Sequence, residues 1–389
     1  MDVWPIQPQT GGNPNPDDIV GRNQVVDYML GQLKAGNNLL IVDPRRTGKT
    51  STLTRLCRNP GDDTEAVMLS YEGAQTSDEV FDLTVKALVR HASLGARVAK
   101  ALRHIVEVDA AAGPVKIKSA FAGRSRIDLL VDVIDAVESK LKSSQHLIIV
   151  LDEVPLAVAN VAKSESPDAA AVLLQRLRAL RQKQNRLRWV LAGSIGFHHV
   201  LRQANTTEGV INDLQPVSLG PLDADSGAFL AKCLLAGIGR EAAAGAISRI
   251  VEDTGSIPFL IHHVVHLLGE TGDGEMTDVS LDAAAEAWEL FLDRDQSRSM
   301  THLVTRLEDW PKEMRPLARS ILDALATAEE PMTLDEIAEL DAFVRLDRDR
   351  LLGVIELLID DHYLADTNPT LSWRYDVLRR IWIRRRRLS

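Results

Sequence analysis

Apolar residues along this chain repeat in two rhythms, and the order of those rhythms sets the expected architecture. Val25, Val26, Met29, Leu30 and Leu33 fall on one face of a helix within residues 19–34. Short apolar runs follow at 38–42 (NLLIV) and 66–71 (AVMLSY), which read as strands, and at 146–153 (HLIIVLDE) and 188–194 (RWVLAGS), whose branched apolar runs mark buried parallel strands. Helical periodicity returns between them, up to about Cys57 and over 77–91, 93–112, 126–142 and 168–185. VKIKSAF at 115–121 alternates as a half-buried strand does. Strands alternating with helices predict an α/β fold, a mostly parallel sheet flanked by helices.

Past residue 222 the expected strands stop. Helical segments over 224–270, broken at Gly237-Ile-Gly239 and Gly255-Ser-Ile-Pro258, and another over 279–309 predict an all-α lid and linker. Helices at 315–327, 333–340 and 347–360 then precede HYLADTNPTLSWRY, a hairpin turning at 367–369, which is the order of a winged helix. The expected division is therefore a loosely ordered arm at 1–18, an α/β domain at 19–220, the helical lid and linker at 221–310, and a winged-helix domain at 311–389 ending in a basic tail.

Composition narrows the class. A chain of 389 residues with 45% hydrophobic and 26% charged positions suits a globular protein of two or three domains. A formal net charge of −10 argues against a broad basic nucleic-acid face, though not a local one. Two cysteines cannot build a disulfide framework, no apolar run reaches membrane-spanning length, and no signal-peptide pattern opens the chain. The expected setting is the cytoplasm.

The chemistry concentrates at the strand ends. DPRRTGKTS at 43–51 places a turn and a new helix after the first strand, where backbone N–H groups and the helix N-terminus converge on an anion. Lys49 would reach the phosphates and Thr50 would ligate Mg²⁺. Asp152 and Glu153 end the 146–153 strand, where they could bind the metal and polarise a water; the plainer reading is two acids at a surface turn. Ser194 ends the next strand as a candidate γ-phosphate sensor, or as part of an ordinary turn.

Val20-Gly21-Arg22, DPRRTGKTS, LIIVLDE, VLAGS and TGSIP, taken in that order, resemble the prokaryotic STAND-type ATPases. More narrowly they are similar to the archaeal-ATPase-like branch, a relative of AAA+ and origin-recognition ATPases. HLVTRLEDW at 302–310 and LSWRYDVLRRIW at 371–382 resemble that family's linker helix and the end of its winged helix. The resemblance implies ATP and Mg²⁺ as ligands, with Val20, Gly21 and Arg22 bordering the adenine. It implies Pro44, Arg45, Arg46, Thr47, Gly48, Lys49, Thr50 and Ser51 around the phosphates, and Pro258 against base or ribose. It further implies Thr50 and Asp152 on the metal, with Glu153, Lys49 and Ser194 catalytic. The expected activity is slow, Mg-dependent ATP hydrolysis serving as a regulatory switch for a protein partner or effector in prokaryotic defence or signalling, with nucleotide-dependent oligomers. The alternatives are a DNA-binding initiator or loader and a non-hydrolysing scaffold.

Asp43 departs from the motif, whose first position is normally Gly. An acid near phosphates is unfavourable, but Pro44 holds residue 43 extended, so its carboxylate could point away or pair with Arg45 or Arg46. Arg176, Arg178, Arg181, Arg186 and Arg188 are candidate arginine fingers or solvated charges. His262, His263 and His266, like His198-His199, read as packing, since no metal-ligand pattern accompanies them. Arg379, Arg380 and Arg384 to Arg387 could contact nucleic-acid phosphates. Asp347, Asp349, Glu356, Asp360 and Asp361 on the expected recognition helix oppose that.

Overall fold

The computed structural model describes residues 2–12, 14–91, 100, 105–107, 116–117, 123–183, 186–194, 196–271, 278–293, 300, 305–340, 343–344 and 346–388. Most of the helix expected at 93–112 lies outside these residues. By contacts the chain forms two compact units. One comprises Asn23–Asp43 and Lys49–Leu219, and the other Met1–Arg22, Pro44–Gly48 and Gly220–Ser389. The turn after β1 is thus divided along the chain, residues 44–48 grouping with the second unit and their two flanks with the first.

The first unit runs α1 (Asn23–Lys34), β1 (Asn38–Val42), α2 (Lys49–Arg58), β2 (Thr64–Ser70) and α3 (Ser77–Arg90). β4 (Lys116–Ile117) is what the structure describes of the strand expected at 115–121, and it pairs antiparallel with β3 (Val106–Glu107), which corrects the helix expected over 93–112 at those two residues. Then come α4 (Arg126–Glu138), β5 (His146–Asp152), α5 (Val154–Ser164), α6 (Pro167–Lys183), β6 (Leu187–Gly193), α7 (Phe197–Gln203) and β7 (Leu214–Pro216). Five strands pair in the order β2-β5-β6-β1-β7, all parallel. The unbroken apolar run of β5 has a simple cause: both of its faces are covered. Ile148 and Val150 join Met29, Leu33, Leu53 and Leu56 of α1 and α2 on one side. Leu147, Ile149 and Leu151 join residues of α3 to α6 on the other. At about 1.5–3 kcal/mol per buried aliphatic side chain, this two-sided burial outweighs any local strand propensity.

Strand order reverses at β1, whose neighbours β6 and β7 both come later in the chain. Such a switch point opens a crevice at the carboxyl ends of the strands, and the turn that starts at Asp43 leaves β1 there.

The second unit has α8 (Ala224–Gly237), β8 (Glu241–Ala242), α9 (Ala246–Thr254), α10 (Pro258–Thr271), β9 (Asp278–Val279) and α11 (Leu281–Leu292). It continues with α12 (Arg315–Thr327), β10 (Met332–Thr333), α13 (Leu334–Glu339), α14 (Arg348–Asp360), β11 (Leu364–Asp366), β12 (Thr370–Trp373) and α15 (Asp376–Arg386). Two features correct the sequence reading. The region expected to be an all-α lid is not purely helical, because β8 and β9 form a short parallel pair. The terminal hairpin gains a third strand, in the order β10-β12-β11.

The arm at 1–18 is also better anchored than its composition suggests. Ile6 is 2% exposed and belongs to the core of this unit, and its N–H donates to the Cys233 carbonyl at 3.0 Å. Gly237 ends α8 under it, where a Cβ would come within 1.9 Å of the Ile6 carbonyl oxygen. Among the described residues no helix is long and apolar enough to cross a membrane.

Candidate functional site

The loop is closed at its base by its own lysine. Lys49, the first residue of α2, is buried, and its Nζ donates to the Asp43 carbonyl oxygen at 2.6 Å across the five intervening residues. Gly48 has φ +89°, and a Cβ there would meet nothing within 4 Å. The glycine is therefore required for its left-handed backbone, not for room. Arg46 also adopts a left-handed conformation, with φ +74°, which is uncommon for a residue carrying a side chain.

The carboxylate of Asp43 faces away from this loop. It is fully buried, accepting from the Leu219 N–H at 2.8 Å and from the Ser218 hydroxyl at 3.1 Å. Of the two arrangements open to it from sequence, it takes the first, and neither Arg45 nor Arg46 is its partner.

The residues read as metal and water ligands meet in the first unit. The Thr50 hydroxyl donates to Asp152 Oδ2 at 2.9 Å, and the Glu153 N–H donates to Asp152 Oδ1 at 3.0 Å. Burial raises the Asp152 carboxyl above its ordinary value, and the Glu153 charge adds to this. The Thr50 hydroxyl, the Glu153 N–H and the Lys49 charge oppose it. Hydroxyl and carboxylate oxygens so placed are the donor set of a hard divalent cation such as Mg²⁺.

Glu153 sits at φ +56°, and its Oε2 accepts from the Ser194 hydroxyl at 3.0 Å and from the Ser194 N–H at 3.3 Å. This pairing depends on Gly193, where a Cβ would lie 2.5 Å from Pro155 Cδ. The proline near the start of α5 thus packs directly on the end of β6, and Glu153 and Ser194 are held together.

The chain matches no family model and no curated protein. Its coordinates match the Walker-type ATPase PABY2304 of Pyrococcus abyssi with a TM-score of 0.63 at 16% identity, covering 98% of this chain and 99% of that one. The chain shares the fold of that protein. The ORC2 protein of Aeropyrum pernix in its ADPNP–ADP complexes gives a TM-score of 0.48 at 13% identity over 94% of this chain and 93% of that one. The RuvB Holliday junction branch migration motor of Thermotoga maritima gives 0.41 at 13% identity over 92% and 93%.

In the second unit, Arg22 is 4% exposed and donates to the carbonyls of Thr47 and Gly220, both at 2.8 Å. It braces the loop through backbone oxygens. Gly21 has φ +72° and packs so tightly on Ser226 that a Cβ would lie 2.6 Å from that residue's own. Val20 is half-buried beside them, and the Thr47 hydroxyl donates to the Pro44 carbonyl at 3.0 Å. Gly255 and Ser256, both with positive φ, turn the chain from α9 into α10, which Pro258 starts.

Sequence reasoning missed Phe259. The Arg46 guanidinium lies 4.5 Å from its ring centroid. Burial, then the neighbouring Arg45 charge, lower the Arg46 pKa from its usual value. The signal that could have found Phe259 is an aromatic residue one position into α10, next to the proline already singled out.

Four of the candidate finger arginines have intramolecular partners. Arg181 is buried and forked on Asp213, with a further bond to the Val210 carbonyl. Arg176 pairs with Asp128, Arg186 bonds the carbonyls of Leu141 and Glu138, and Arg188 bonds those of Leu33 and Leu187.

The C-terminal arginines are similarly engaged. Arg380 bonds Asp253, Arg379 bonds Asp376 and the Ala326 carbonyl, and Arg386 bonds Asp323. Arg384 lies 3.6 Å from Asp293, and Arg387 ends α15 in a left-handed cap. Asp361 is not a surface acid. It is 2% exposed and accepts from Arg306 and from Trp310 Nε1, both at 2.7 Å. Asp347 caps α14.

Of the histidines, His262 is buried and its Nδ1 accepts from the Gln9 N–H at 3.1 Å. Burial pushes both His262 and His263 down to about 4. His266 pairs instead with Glu270, so 262 and 266 do not converge.

Proposed function

We propose that the chain binds ATP and hydrolyses it slowly, as a STAND-type regulatory switch acting on a protein partner. The observation that carries this is the grouping of Lys49, Thr50 with Asp152, and Glu153 with Ser194 at the carboxyl ends of β1, β5 and β6. Lys49 and the N–H groups of Pro44–Ser51 that are free of proline would hold phosphate oxygens. Val20, Gly21, Arg22 and Pro258 would border the base and ribose.

Mg²⁺ on Thr50 and Asp152 would neutralise phosphate charge and fix its geometry. Glu153 would accept the proton of the attacking water, and Ser194 would set the direction of that carboxylate. One Glu153 oxygen already accepts two bonds from Ser194, so the base must be partly released before it can act, which suits a slow timer.

A protein partner fits the C-terminal region better than a duplex does. Arg379, Arg380 and Arg386 already have acidic partners, while Val344 and Leu352 are 64% and 39% exposed. We place this region among the winged helices on its element order. Phosphate release by the wild-type chain and by Glu153→Gln under saturating MgATP tests the reading. A measurable wild-type rate lost by at least ~100-fold in the variant is expected. Equal rates would leave a nucleotide-binding scaffold.

A further inference from the structure

Arg46 is the cation of the phosphate loop that the motif does not require. Among the described residues no carboxylate pairs with it; its guanidinium rests on the Phe259 ring, 4.5 Å from the centroid. Its backbone is held at φ +74°, so the side chain leaves the loop in a direction that a right-handed residue would not give.

Phe259 is the first of a run of rings in contact, edge-on to His263, then tilted, and stacked only at its far end. Its centroid lies 4.4 Å from that of His263, which lies 5.3 Å from Phe291, which lies 5.5 Å from Trp288. The far end is again a cation: the Arg380 guanidinium of α15 is 5.2 Å from the Trp288 centroid, and Arg380 also grips Asp253 at the end of α9. All of these residues belong to the second unit.

A guanidinium over a ring is held weakly, whereas a guanidinium on phosphate oxygens makes charge-assisted bonds roughly twice as strong as neutral ones. Both partners compete for one side chain. We propose that Arg46 divides its time between the Phe259 ring and the phosphates of a bound nucleotide, and that Phe259, His263, Phe291 and Trp288 carry this choice to Arg380 on the C-terminal helix. The proposal rests on the nucleotide-binding reading above. It adds a way for the loop to report its occupancy to the region that meets the partner. His263 suits the place because a charged imidazole there would repel Arg46, and burial keeps it neutral down to about 4.

Competition makes an unusual demand on sign. Removing the ring should strengthen nucleotide binding, because it removes the rival for Arg46. The experiment is a double-substitution cycle on the full chain, with MgATP affinity measured by titration calorimetry for wild type, Arg46→Met, Phe259→Leu and the double variant. Phe259→Leu is expected to bind about two- to five-fold tighter than wild type. Arg46→Met should bind at least about ten-fold weaker, and Phe259→Leu should have no effect in its background. Phe259→Tyr, which keeps the ring face, should match wild type and guards against a packing defect in the leucine variant.

The Trp288 contribution to emission, taken as wild type minus Trp288→Phe, should change on adding MgATP and stay constant in Arg46→Met. Phe259→Leu that weakens binding, or shifts it equally in both backgrounds, overturns the proposal. The nucleotide reading survives that result if wild type binds MgATP and Lys49→Ala does not. No binding by wild type overturns both. An emission change that persists in Arg46→Met overturns the relay.

Discussion

Asp43 stands where the phosphate-loop motif normally has glycine, and its orientation sets opposite expectations for stability and for binding. Its carboxylate is fully buried and accepts two hydrogen bonds, from the Leu219 N–H at 2.8 Å and from the Ser218 hydroxyl at 3.1 Å. A hydrogen bond to a charged group contributes about 1.5–3 kcal/mol. Asp43→Ala loses both, so about 3–6 kcal/mol of stability should go. Asp43→Asn keeps one carbonyl acceptor and should lose about 1–2 kcal/mol. Urea unfolding followed by tryptophan emission reads these differences. Binding is the sharper half. Were the carboxylate turned towards the phosphates, at about 5–6 Å and an effective dielectric of about 20, each phosphate charge would be opposed by about 3 kcal/mol. Asp43→Asn would then bind MgATP about 100-fold tighter. Because the carboxylate is engaged at residues 218–219, the affinity should stay within about three-fold of wild type. A large gain in affinity with unchanged stability would refute the reasoning.

Three further predictions follow from close packing and burial. Gly193→Ala drives a methyl group into Pro155 and should cost about 1–3 kcal/mol, lowering phosphate release more than MgATP affinity because Ser194 and Glu153 are pushed apart. Asp361→Asn weakens the buried acceptor of Arg306 and Trp310, and should lower stability by about 3 kcal/mol in thermal or urea unfolding, whereas a solvated helix-face acid would give almost nothing. His262, ordinarily near 6.5, is held down to about 4, so the unfolded chain binds its proton first. Its contribution is complete above about pH 6.5 and is lost as pH falls towards about 4, amounting to at most about 3 kcal/mol. The fall in stability from pH 7 to 5 should be shallower in His262→Gln, which keeps an acceptor for Gln9.

Much of the sheet could be read in advance, because strands covered on both faces must be continuous apolar runs and few other segments are. The ends of β5 and β6 were readable for the same reason, since a polar residue closing such a run stands at the strand's carboxyl end. What stayed hidden depends on contacts across the chain. Pro155 looks like a turn former next to two acids, yet it opens α5, and its fit against Gly193 holds Glu153 beside Ser194. Asp361 ends a helix whose other acids are solvated, and only Arg306 and Trp310 reveal that it is inside. β7, β8, β9 and β10 have three residues or fewer, too short for any period to show. The arm is polar by composition, and one isoleucine meeting a glycine 231 positions later anchors it. Phe259 carries no motif of its own; its importance comes from the arginine that lies over it.

The central claim is that the loop opened by Asp43 and closed by Lys49 holds the phosphates of ATP. Titration calorimetry of the full chain with MgATP, wild type against Lys49→Ala, tests it most directly. Saturable one-to-one binding by wild type and a loss of at least about 100-fold in the variant are expected. Equal affinities for the two proteins, or heat that never saturates with wild type, would contradict it.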